Sequence, residues 1–214
     1  MAKGKPRQPG KLRRRAAEKA PYDHVLILCV GETERVYFQE VRAACSLRAV
    51  NVVVSPDAEG QDPSRMVKTA KDSQKRQRAQ KNDYDRIWLV FDRDRFEQFE
   101  TALNNCRQAD IDAAWSVPCF EYWLLIHFTQ SDATFRASDG LTGAQCCERA
   151  LLEYVPDYQK GSPAVFQATW QHVDRAIQKA KRRLADPDWE NEKNPSTNVH
   201  ELVEYLIDLN SESK

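Results

Sequence analysis

No apolar run in the sequence approaches the ~18 residues that a membrane helix needs, so a transmembrane span is excluded. The N-terminus also lacks the apolar centre of a secretory signal, because Lys3, Lys5, Arg7, Lys11, Arg13, Arg14 and Arg15 precede any hydrophobic stretch. A cytoplasmic protein is expected. The six cysteines form no C-x-x-C pair and the four histidines stand apart, which argues against a zinc site or a disulfide framework. The thiols read instead as small buried hydrophobes. No P-loop, internal repeat or low-complexity tract occurs. Net charge is absent too: 32 Lys and Arg balance 32 Asp and Glu, which argues against a generic nucleic-acid coat protein.

The charge is nevertheless unevenly placed. Residues 1–20 carry eight Lys or Arg and one Glu, with too little apolar surface to order themselves by burial. They are expected to form a flexible basic arm, either a tether to a phosphate backbone or acidic partner, or simply a solvated tail. Arg65, Lys68, Lys71, Lys75, Arg76, Arg78 and Lys81 form a second basic stretch with only Asp72 against them. It would carry a phosphate backbone or present a solvated amphipathic face.

The 214 residues suit one domain. Val25–Val30 is a continuous apolar run of strand length, as expected for a strand buried on both faces. Gly31 breaks it, and Tyr37, Val41, Ala44 and Cys45 recur at helical spacing, predicting a helix from Glu34 to about Leu47. The unit repeats: a strand over Val50–Ser55 with a helix from Pro63, then a strand over Ile87–Phe91 ending in Asp92, with Phe96, Phe99, Leu103 and Cys106 marking a helix face. Asp112–Ser116 is the fourth strand. The chain then turns helical over Phe120–Phe128, Gly143–Tyr154 and the stripe Val173, Ile177, Ala180 and Leu184. A last helix follows, with Ser196 or Thr197 as its cap. The predicted fold class is α/β, with about four mostly parallel strands covered by helices and a helical C-terminal extension. The boundaries are 1–20 for the arm, 21–128 for the core and 129–214 for the extension packed on it.

Ligands of an open parallel sheet gather beyond the carboxyl ends of its strands. Glu32 follows the first strand and Asp92-Arg93-Asp94 the third. Residues two apart in extended backbone point the same way, so Asp92 and Asp94 could face one ion while Glu32 approaches from a neighbouring strand. Carboxylates of this kind suit Mg2+ or Mn2+ better than zinc. The same acids also serve as helix caps, with Glu32 or Glu34 in the first turn of helix one and Asp94 in that of helix three. A lone D-x-D is weak evidence between these readings.

The motifs together resemble one family. Cys29-Val30-Gly31-Glu32-Thr33-Glu34 with Tyr37-Phe38, then Phe91-Asp92-Arg93-Asp94, Pro118–Phe128, Tyr158-Gln159-Lys160-Gly161 and Asn194–His200 resemble the RloB family, in order, over about residues 25–207. The Gly31-Glu32 and Asp92-x-Asp94 pattern resembles the Toprim domain of topoisomerases, primases and OLD-type nucleases. Arg93 departs from an apolar residue often found between the aspartates, and Val117 and Cys119 flank Pro118 where polar residues are more usual. The resemblance implies a Toprim-like protein of bacterial restriction-associated or anti-phage loci, encoded beside an ATPase partner and cleaving nucleic acid, DNA or RNA, with Mg2+ or Mn2+. The alternative is a non-catalytic module that binds the ATPase or nucleic acid.

On this reading Asp92 and Asp94 anchor the metal, and Glu32 completes its shell or serves as general base. Glu121 is a further ligand or a helix N-terminal charge. His200 is a catalytic candidate and His127 a candidate for a functional role, and for each the ordinary alternative is a satisfied core histidine. Arg93, Arg95 and Lys160 would engage the scissile phosphate, and Arg65, Lys68, Lys75 and Arg76 the backbone of a longer substrate.

Overall fold

The computed structural model describes residues 23–49, 52–93, 99–188 and 192–211. The basic arm, Val50, Asp94, Arg95 and Phe96 lie outside the described residues. Five strands, β1 (Val25–Cys29), β2 (Val52–Ser55), β3 (Arg86–Asp92), β4 (Asp112–Val117) and β5 (Ser196–Thr197), form one sheet in the order β2-β1-β3-β4-β5. All pairings are parallel except β4 with β5. This is the α/β Toprim-like architecture, with a fifth, two-residue strand that the periodicity did not reveal.

Alternation along each strand sorts the core into two layers. Val25, Ile27 and Cys29 of β1, with Val52, Val54, Trp88, Val90 and Ala114 from β2, β3 and β4, belong to one buried cluster. Onto this face pack α1 (Glu32–Ala44) through Tyr37, Phe38 and Val41, α4 (Glu121–Leu125), and α8 (Val199–Ser211) through Leu202, Val203 and Leu206. Leu26, Leu28, Ile87, Leu89 and Phe91 belong to the opposite cluster, with Met66, Val67 and Ala70 of α2 (Pro63–Ala79) and Phe99, Leu103 and Cys106 of α3 (Phe99–Gln108). The chain therefore leaves β1 on one face and β3 on the other. Because β1 and β3 are adjacent, their carboxyl ends open a crevice at the point where the strand order reverses.

Beyond residue 128 come α5 (Gly143–Leu152), α6 (Ala164–Trp170) and α7 (Val173–Ala185). Eight helices thus flank the sheet among the described residues, and α6 is one that no stripe announced. Helix α1 starts at Glu32 rather than Glu34, and α4 is shorter than Phe120–Phe128. The extension joins the core fully, since Trp123 shares a cluster with Leu151, Val165, Ile177 and Val199.

The extension is also not purely helical, because Ser196 and Thr197 form β5. Thr197 Oγ1 does accept the Val199 N–H at 3.2 Å, as a cap would, but it donates to Trp115 O at 2.8 Å and meets Ser116 Oγ at 2.9 Å. Asn198 prolongs the pairing with its side chain, accepting from Trp115 N–H at 2.7 Å and donating to Ala113 O at 2.8 Å. The approach to β5 is fixed by buried Arg183, which donates to Pro195 O at 2.9 Å and to Glu192 O. No helix of the described residues is long and apolar enough to cross a membrane.

Candidate functional site

A cleft of about 570 Å³ opens at the β1/β3 reversal point. The end of β1 supplies Val30, Gly31 and the first turn of α1, and the end of β3 supplies Asp92. Backbone bonds hold these edges together: Val30 N–H donates to Val90 O at 3.0 Å, and Gly60 N–H, from the loop after β2, donates to Val30 O at 2.8 Å. Gly31 is the N-cap of α1 and has no side chain with which to cap it. Glu32 and Glu34 occupy the first turn, where negative charge is favoured by the helix dipole. A Cβ on Gly31 would lie 2.1 Å from Glu34 Oε2, so the absence of a side chain there is what allows the buried Glu34 carboxylate to fold back over the strand end.

The opposite wall comes from Cys119, Phe120 and Glu121 and from the extension: Thr142, Ala144, Gln145, Glu148 and Lys160. The Tyr158–Gly161 segment lies against α1. Gly161 N–H donates to Thr33 Oγ1 at 3.1 Å, and Gly161, at φ +74°, comes so near Glu32 that a Cβ would stand 2.8 Å from its Cδ. The Tyr158 hydroxyl donates to Glu121 Oε1 at 2.9 Å, and Lys160 Nζ lies 3.3 Å from the same oxygen and 3.1 Å from Glu148 Oε2. Glu121 is only 5% exposed, while Lys160 is half exposed. A buried carboxylate needs such partners.

Among the described residues, six carboxylates, Glu32, Glu34, Glu59, Asp92, Glu121 and Glu148, therefore line the cleft against one lining ammonium, Lys160. Arg35 stands behind, 3.4 Å from Glu32 and 3.6 Å from Glu59. The field shows in the neighbouring groups. Burial, with the Glu34 charge next, pushes the Cys29 thiol well up. Burial and then the Glu121 charge raise the Tyr158 hydroxyl. Burial alone would lower Lys160, but Glu121 and Glu148 outweigh it and hold the ammonium more tightly protonated than usual. The six carboxylates are oxygen donors of the kind a hard divalent cation takes. Among the described residues, however, no three His, Cys, Asp or Glu side chains converge as ligands of one ion. Glu32 and Glu121 are instead engaged by Arg35 and by Tyr158 and Lys160.

Of the residues singled out from sequence, Glu32, Asp92, Glu121 and Lys160 share this cleft. Asp94 and Arg95 lie outside the described residues. Arg93 is exposed beside Asp92. His200 does not line the cleft; it is buried at the start of α8, and burial pushes it down to about 4. His127 is fully buried, bonded through Nδ1 to Trp123 O at 2.8 Å, and likewise pushed down to about 4 by burial. Both have the surroundings of core histidines. Arg65, Lys68 and Lys75 are exposed on α2, and Arg76 is held by Ser73 Oγ at 2.8 Å and Asp57 at 3.8 Å. Glu59 and Glu148 were missed, since neither stands in a motif. Tyr158 was noted only as part of the resemblance, and its bond to Glu121 joins residues far apart in sequence.

No curated protein and no solved structure matches the chain. The family model described as RloB-like protein matches residues 25–206, which takes in the whole sheet, the cleft and most of α8. The chain belongs to the RloB-like protein family.

Proposed function

We propose that the cleft holds Mg2+ or Mn2+ and hydrolyses phosphodiester bonds in DNA or RNA, as the nuclease effector of a bacterial phage-defence system working with a separately encoded ATPase. The observation that carries this reading is the meeting of Glu32, Asp92 and Glu121 in one cleft at the carboxyl ends of β1 and β3. A phosphate backbone would be repelled by this acidic lining unless cations neutralised it. Glu32, Asp92 and Glu121, joined by Asp94, would hold the metal. When bound, the metal would polarise a phosphoryl oxygen and lower the pKa of a water. Glu32, the most accessible of the three predicted acids at 59% side-chain exposure, would take a proton from an attacking water. Arg93, exposed next to Asp92, would attract the substrate phosphate, and the exposed cations of α2 would follow its backbone.

A second reading has its own support. The described acids do not converge on one ion and are partly neutralised by Arg35 and Lys160, as suits a non-catalytic module that docks on the ATPase or on nucleic acid. Calorimetric titration of the purified chain and its Asp92→Ala variant with Mg2+ and Mn2+, alongside cleavage of mixed DNA and RNA, separates the two. Binding and cleavage lost together in the variant establish the nuclease. Equal binding by both proteins, or by neither, favours the module.

A further inference from the structure

Part of the charge that neutralises the cleft comes from the chain itself. The Lys160 ammonium stands between Glu121 and Glu148, 3.3 and 3.1 Å from their oxygens. Its segment is fastened at both ends: Gly161 N–H donates to Thr33 Oγ1, and the Tyr158 hydroxyl donates to Glu121 Oε1. Lys160 and Tyr158 thus converge on the same carboxylate oxygen.

The geometry points to Lys160 as a built-in counter-ion that competes with a divalent cation for Glu121, so that metal enters the cleft only as Lys160 withdraws. This rests on the proposed metal reading and adds regulation to it. A carboxylate oxygen offers about two lone-pair positions, and on Glu121 Oε1 both are approached by donors. A cation reaching that atom must displace one of them. Tyr158 is buried, whereas Lys160 is half exposed on a flexible stem and is the donor free to turn to solvent once a cation replaces its charge. Linkage makes the effect reciprocal: weakening the Lys160 pairs strengthens metal binding, and metal binding frees Lys160. A lysine whose sole task was to contact phosphate would show no such competition. The displaced ammonium would then be available to substrate phosphate, coupling metal loading to substrate capture.

The test is Mn2+ binding by calorimetry to the full-length wild type and its Lys160→Met, Lys160→Arg and Asp92→Asn variants, with circular dichroism to verify folding. Removing one unit of positive charge beside a divalent ion in a solvent-open cleft should tighten binding about tenfold in Lys160→Met. Lys160→Arg keeps the charge and should stay near wild type, and Asp92→Asn should abolish binding. Wild-type protein supplies an independent measure, because Mn2+ should accelerate acylation of Lys160 by an amine-reactive reagent, read by mass spectrometry. Unchanged or weaker binding by Lys160→Met and unchanged labelling, with binding still lost in Asp92→Asn, would overturn the counter-ion and leave the metal reading standing. Binding that ignores Asp92→Asn, or is absent from every variant, would remove both.

Discussion

Gly161 is where backbone conformation and the site meet, and replacing it by alanine separates the two. At φ +74° a residue with a Cβ costs about 1–2 kcal/mol relative to glycine. Gly140, at φ +78°, carries the same backbone demand, but a Cβ there would meet nothing within 4 Å. At Gly161 the new methyl would stand 2.8 Å from Glu32 Cδ, 2.9 Å from Cγ and 3.0 Å from Oε2. The Glu32 side chain is flexible and exposed, so it would give way rather than the backbone, at a further cost of about 1 kcal/mol in rotamer strain. Gly140→Ala should therefore lower the melting temperature by about 2–8 °C, and Gly161→Ala by a few degrees more. Only Gly161→Ala should also move Glu32 and weaken Mn2+ binding. Thermal unfolding followed by circular dichroism and calorimetric titration of the two variants read these effects separately. Equal losses of stability with divalent binding untouched in both would refute the claim that the 158–161 segment sets the position of Glu32.

Other predictions follow from the core and the sheet edge. Trp123→Ala, at a side chain with no exposure in the cluster that joins the two halves of the chain, should cost about 3–5 kcal/mol in denaturant unfolding. Asn198→Ala removes the side-chain bonds to Trp115 N–H and Ala113 O; it should cost about 2–3 kcal/mol and speed hydrogen exchange at the Trp115 amide. His127 and His200 are pushed down to about 4 by burial. The unfolded chain then binds more protons than the folded one, so their contribution is complete above an ordinary histidine pKa of about 6.5 and is lost as pH falls toward 4, with a slope of at most about 1.4 kcal/mol per pH unit for each. His127→Gln should flatten that part of the stability–pH curve.

What the chain's pattern made legible was whatever depends on near neighbours. The apolar runs of β1 and β3 are buried on both faces; β3 ends in Asp92 and β1 is followed within three residues by Glu32, so both acids could be found without knowing the strand order. Strand β5 stayed hidden because two residues carry no period, and Ser196 and Thr197 have the side chains of helix caps. Their pairing with β4 is set by Asn198 and by contacts across more than 80 positions of chain. Glu148 looked like any charge on the outer face of an amphipathic helix. Only the fold reveals that this face of α5 turns toward the cleft, and that Glu59 joins it from a loop pinned to β1 by Gly60.

The placement of Glu121 ties the two halves of the chain into one functional unit. It sits at the start of an apolar helix and is nearly inaccessible, a position in which a charged carboxylate would cost several kcal/mol unless hydrogen-bonded and ion-paired. Two of its partners, Tyr158 and Lys160, come from beyond residue 128. The α/β core alone would leave Glu121 without the Tyr158 hydroxyl and the Lys160 ammonium. The extension, seated by Gly161 on Thr33 and by β5 on β4, holds both groups against its carboxylate. The helical half is therefore part of the cleft rather than a covering for it: the α/β half positions Glu32, Asp92 and Glu121, and the extension adds the Glu148 carboxylate and the Lys160 ammonium beside them.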